Sequence, residues 1–174
     1  MMIEYFGTDL QRINHALKVY GFASCIARRE ELPEQEVFVV DVASILHDIG
    51  IKEAEKKYNS SGGYYQEKEG PAIARTLLEE LNLSTETLDR ICFLIGNHHS
   101  YPKIDGLDFQ ILVEADFLVN IQEDEMSKLT IECCFGFSNV DYNDCSGFEL
   151  LYLTISSTVG TSTTRICPFY VKSI

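Results

Sequence analysis

Basic residues are scarce in this chain: 14 Lys and Arg stand against 27 Asp and Glu, a net charge of −13 over 174 residues. Phosphate-backbone binding needs clustered cations, so nucleic acid is excluded as a partner class. Long apolar runs are missing too. None approaches the roughly 18 residues that a membrane-spanning helix requires, and no membrane partner is expected. The stretch Met1–Leu10 carries Glu4 and Asp9 but has neither a basic nor an apolar signal region. A cytoplasmic location is the expectation that follows. The six cysteines include no CxxC pair, and Cys133–Cys134 are adjacent. Reduced thiols are expected rather than a zinc knot or a disulfide framework. No internal repeat is visible.

What is present is a chain of single-domain length with 45% apolar residues. Residues 1–128 alternate helical patterns with short breakers. Residues 129–174 are poor in charge, hold four of the six cysteines and include the Ser/Thr-rich run Thr154–Thr164. Their helical periodicity is weak and β-branched residues are common, so an irregular or partly β-like segment is expected there. That tail offers Phe169 and Tyr170 as anchors for packing on the bundle or for a homodimer contact.

Periodicity predicts a first helix from Asp9 to about Glu31. Ile13, Ala16, Leu17 and Tyr20 form one apolar stripe, and His15, Val19, Phe22 and Ile26 a second. Pro33 opens a second helix, with Glu34 and Glu36 behind it. Val37–Leu46 is almost continuously apolar and ends in His47-Asp48-Ile49-Gly50, where Gly50 reads as a C-cap. Lys52–Gly70 reads as a polar surface loop, and Pro71 as the start of a third helix. Ser84 is placed as the N-cap of a fourth helix that stops at Gly96-Asn97, just before His98-His99. Asp108 is expected to cap a fifth, with Phe109, Leu112, Val113 and Asp116 on one face.

Asp116 is the most informative residue. A carboxylate in the middle of an apolar stripe requires a cation, a strong donor or its own proton. His47-Asp48 supplies a second signal, because adjacent helical residues point about 100° apart and reach one ion only where a helix ends. With His15 facing the interior, the set His15, His47, Asp48 and Asp116 offers two imidazole nitrogens and two carboxylates. That mixture suits one divalent metal (Mn, Co, Ni, Fe, Zn or Mg) with positions left for water and substrate. No thiolate is included, so a closed structural zinc site is not indicated.

The order His15 … His47-Asp48 … Asp116, with the phrases NHALKVY, ILHDIG and ILVEADFLVNI, resembles the HD superfamily of metal-dependent phosphohydrolases over about Thr8 to Asp124. Within it the chain looks most like small bacterial HD proteins that carry HDIG, then YxxxEGP, here Tyr65–Pro71, then an HHH-like segment, here Asn97-His98-His99. The resemblance implies an all-α HD-domain helical bundle and hydrolysis of a phosphate ester or nucleotide by a metal-activated water. It also implies metal-ligand roles for the four matched residues. The HDxxED acids of the alarmone hydrolases are absent after His47-Asp48, and so is the GYP motif of the cyclic-dinucleotide branch. Two-metal branches carry two separated histidines between the HD pair and the last Asp. Here only the adjacent His98-His99 is found, which favours one metal.

Further roles follow from the chemistry. Arg12, one turn before His15, and Lys52, after the HD turn, are candidates for phosphate contact. Glu53 is a candidate to orient water, and His98 or His99 to bind phosphate or act as an acid. The expected partner is a small phosphorylated substrate, possibly a nucleotide. Two other readings stand beside this one. One is a catalytically silent metal- or nucleotide-binding regulator; the other is an HD-type di-iron oxygenase.

Overall fold

A computed structural model of the protein describes residues 1–123, all of whose regular structure is helical. The short α1 spans Met2–Phe6, α2 Leu10–Arg29, α3 Glu34–Leu46 and α4 Ile51–Tyr58. They are followed by α5 at Gly63–Leu78, α6 at Thr85–Ile95 and α7 at Leu107–Glu123, with single 3-10 turns at Glu79–Leu81 and Tyr101–Lys103. The chain is an all-α helical bundle, as its sequence indicates. The C-terminal segment, including the proposed boundary at residue 128, lies outside the described residues.

The apolar run of α3 makes it central: α3 packs against α2, α6 and α7, and α2 packs against α7. Val40 and Ala43 of α3 meet a core shared with Val19 and Ala23 of α2 and Phe109, Leu112 and Val119 of α7, all fully buried. Burying each of the larger of these side chains contributes about 1.5–3 kcal/mol. A second layer is formed by α4 on α5 and α5 on α6.

The helix boundaries show where sequence signals are sufficient. Asp9 caps α2 by accepting from the Arg12 backbone N–H at 3.2 Å. Ser84 caps α6 by accepting from the Thr87 N–H at 3.1 Å. Other expectations need correction. Leu17 is 45% exposed, so α2 buries one broad face containing Ile13, His15, Ala16, Val19, Ala23 and Ile26. Gly50 is not a left-handed C-cap: its φ is −73°, and it precedes the first residue of α4. Lys52–Gly70 is not a loop but α4 and the first two turns of α5, separated by a short link at whose start Asn59 adopts a left-handed φ of 50°. Pro71 lies inside α5, not at its start. Asp108 falls within the first turn of α7, where it accepts from the Phe109 N–H at 2.8 Å and is clamped by Arg90.

Candidate metal centre

Three elements converge on one point. His15 comes from the buried face of α2. His47 and Asp48 lie in the turn that joins α3 to α4, and Asp116 comes from the middle of α7. The turn solves the geometric problem of adjacent ligands, because the chain leaves helical rotation just where both side chains must face one centre. The same device recurs at the end of α6, where His98 and His99 lie in the turn after Ile95.

Both turns orient their first histidine in the same way. His47 Nδ1 lies 2.8 Å from the Ser44 carbonyl, and His98 Nδ1 lies 2.8 Å from the Ile95 carbonyl. These carbonyls belong to the last turns of helices, where intrahelical donors run out. A carbonyl only accepts, so Nδ1 of each ring is a protonated nitrogen, and the neutral form of the ring turns Nε2 toward the site as a lone pair. His15 is held alike from another direction, its Nδ1 2.9 Å from Glu123 Oε2.

The presented atoms are close. His15 Nε2 lies 3.2 Å from His47 Nε2 and 3.2 Å from Asp116 Oδ1. Asp48 Oδ2 lies 3.7 Å from His15 Nε2 and 3.6 Å from His47 Nε2, and Asp116 Oδ1 lies 3.6 Å from His47 Nε2. Asn120 Nδ2 donates to Asp116 Oδ1 at 2.9 Å and fixes that carboxylate one turn along α7. Two ligands of one small divalent ion, at bond lengths near 2.1 Å, lie about 3.0–3.4 Å apart. The cluster therefore has the spacing of a coordination shell, and its donors are lone pairs that repel one another without positive charge between them.

The electrostatics agree. Burial disfavours the charged form of His47, yet Asp48 and then Asp116 outweigh it and push the imidazole up to about 9. Burial likewise opposes charge on His15, and Asp116 overcomes it, so its pKa also rises. Burial would raise Asp48, but His47 and His98 pull it below the usual carboxylate range, and Asp116 is lowered by His15 and His47 against the same opposition. In the metal-free protein, protons take the place that the donors offer to a cation.

His98 and His99 are also brought to this site. His98 is buried, and its Nε2 has no hydrogen-bond partner although it lies 3.5 Å from Asp48 Oδ1. Asp48, His98 and His99 form a second group whose donor atoms lie within 4.8 Å of one another, as do those of His15, His47 and Asp48. Asp48 belongs to both. His99 is set by α5: its backbone N–H donates to Glu67 Oε1 at 2.9 Å, and Ser100 Oγ donates to Glu67 Oε2 at 3.0 Å. A Cβ on Gly63 would stand 2.5 Å from His99 Cδ2, so glycine there lets the ring lie against the start of α5. Partial burial of the His99 ring, then the neighbouring His98, lower its pKa to about 3 and keep it neutral.

The remaining candidates are engaged elsewhere. The Arg12 guanidinium pairs with Glu55 at 2.6 Å and Asp9 at 3.0 Å. Lys52 Nζ donates to the Tyr5 carbonyl at 2.8 Å and so ties α1 to α4. Glu53 faces Lys56 and Lys57 on its own helix. Sequence reasoning missed Asn120 and Glu123. Both stand at helical spacing after Asp116, at i+4 and i+7, and polar residues continuing the stripe of a buried carboxylate were the available signal. Gln66 and Glu67, which hold His99, were hidden by reading that stretch as a loop.

The HD domain family model matches residues 12–134, which include all four converging ligands. The chain belongs to the HD-domain family. No curated protein and no solved structure matches it. HD domains bind divalent metals and are typically metal-dependent phosphohydrolases. In this HD-domain protein the pair that names the family is His47-Asp48, and the donor set fits such a metal by spacing, tautomer and charge. None of the described helices is long and apolar enough to cross a membrane.

Proposed function

We propose that this HD-domain protein hydrolyses a phosphate ester or nucleotide, with His15, His47, Asp48 and Asp116 holding one divalent cation. The observation that carries this reading is that a carboxylate oxygen of Asp48 and one of Asp116 each lie 3.2–3.7 Å from the Nε2 atoms of both His15 and His47, which are themselves 3.2 Å apart. A cation held there supplies Lewis-acid activation of water and neutralises charge on phosphoryl oxygens. The protein's own part is positioning. Ser44 and Glu123 fix the imidazole tautomers, and Asn120 fixes Asp116. His98, its Nδ1 held by the Ile95 carbonyl, turns an unpartnered Nε2 toward Asp48, which suits it to bind a cation. Arg12 is the side chain we assign to phosphate, exchanging Glu55 for a substrate oxygen. Lys52 and Glu53 are the weaker members of the catalytic set, because their partners lie on α1 and α4. With a net charge of −13, the substrate class is small and phosphorylated, and its charge is met by the cation rather than by a basic surface.

A second reading of the same site is favoured by Asp48, His98 and His99. The unpartnered His98 Nε2 and the free oxygen of Asp48 offer a place for a second cation, with Asp48 shared between the two. That arrangement also returns the oxygenase reading to consideration when both ions are iron.

The test is a hydrolysis screen over nucleotides, sugar phosphates and diphosphates with Mn, Co, Ni or Mg added, alongside oxygen uptake with iron. Release of phosphate or of a nucleoside product from at least one class is expected. Metal bound without turnover of any class would replace this reading with that of a silent regulator.

A further inference from the structure

Glu123, in the last turn of α7, faces His15 from the side opposite the cluster. Its Oε2 lies 2.9 Å from His15 Nδ1, and its Oε1 accepts from Lys18 Nζ at 3.0 Å. The three histidines of the site differ in how their Nδ1 protons are held. His47 and His98 use carbonyls of their own helices, three residues back, so their orientation comes with the fold of the turn. His15 lies in the second turn of α2, where the nearby carbonyls are used by the helix. Its acceptor must come from another element, and Glu123 of α7 is that acceptor. A carboxylate that holds a ligand histidine's second ring nitrogen fixes the ring's orientation and makes the opposite nitrogen a better ligand.

We infer that Glu123, itself anchored by Lys18, is a positioning residue that fixes His15 with its proton on Nδ1 and so readies Nε2 for the cation. The inference rests on the metal reading given above. Without Glu123, the neutral ring is free to carry its proton on Nε2, where it blocks the ligand position. Glu123 also joins α2 to α7, so a purely structural strap is the competing account, and the two differ in what they change.

The experiment titrates Co2+ into the full chain, following its visible absorption, for wild type, E123A, E123Q and K18M, and records the melting temperature of each metal-free protein. Positioning predicts Co2+ binding by wild type and a loss of about 10–100-fold in affinity for E123A, the range found when the carboxylate partner of a ligand histidine is removed. E123Q, which keeps an acceptor oxygen but not the charge, falls between. K18M shows a smaller loss in the same direction, and the metal-free melting temperatures stay within a few degrees. If wild type binds Co2+ and E123A binds it equally well, the inference is overturned while the metal reading stands. Lowered melting temperatures with unchanged affinity assign Glu123 to the strap and overturn it too. A wild type that binds no Co2+ overturns both.

Discussion

At the scale of single residues, buried charges are tolerated here only where a partner is built in. Arg90 shows this away from the site. Its guanidinium donates to Asp108 through Nε at 2.7 Å and Nη2 at 2.6 Å, and reaches Asp105 at 2.8–2.9 Å. Asp108 is buried, so removing the guanidinium strands a carboxylate in the first turn of α7. R90M is expected to cost about 2–4 kcal/mol at pH 7, somewhat less than the roughly 3–5 kcal/mol for breaking a fully buried pair because Arg90 is partly exposed. The pH dependence has a definite sign. Arg90 lowers the Asp105 carboxyl below its ordinary 3.8. A carboxyl with a depressed folded pKa contributes stability that is present above the unfolded value and lost as pH falls below it. The part of the gap that comes from the half-exposed Asp105, at most about 1 kcal/mol, should therefore be present at pH 6–7 and be lost below pH 4 when measured by urea unfolding. A gap that stays constant down to pH 3 would refute the assignment. In the cluster the same rule demands a partner for Asp116, and two histidines and Asn120 supply it.

At the scale of elements, α5 is the part that the amino-acid pattern concealed and the site most depends on. Its first two turns, Gly63–Gly70, bury only Gln66 and Gly70, so they lack the apolar stripe by which α2, α6 and α7 were legible. Pro71 reinforced the error, since proline more often opens a helix than continues one. The helix persists because tertiary contacts override that local preference. The HD turn rests directly on it: a Cβ on Gly50 would collide with the Gln66 carbonyl and stand 2.7 Å from Gly70 N. These neighbours are backbone and cannot swing aside. G50A is accordingly expected to destabilise the protein by about 1–3 kcal/mol, although a φ of −73° is ordinary for alanine. Chemical denaturation is the check. An unchanged midpoint would mean that α5 does not buttress the HD turn. By contrast, His15, His47, Asp48 and Asp116 were legible because each breaks an apolar pattern. Glu123 and Asn120 were not singled out, since polar residues near a helix end are ordinary.

At the scale of the whole molecule, a helical bundle brings two helices and a turn together so that four donors from distant parts of the chain meet at one largely buried point. The all-α class followed from periodicity, and the site's order along the chain followed from residue types. The distances and tautomers that make the cluster a shell of lone pairs required the fold. The central claim, that these four residues hold a divalent metal, is tested most directly by elemental analysis of full-length protein reloaded with Mn or Co, beside H47A and D116A. The account predicts at least one tightly held metal per folded wild-type chain, its loss in both variants, and a rise in wild-type melting temperature on loading. Folded wild type that remains metal-free after reloading, or variants that keep the full metal content, would contradict it.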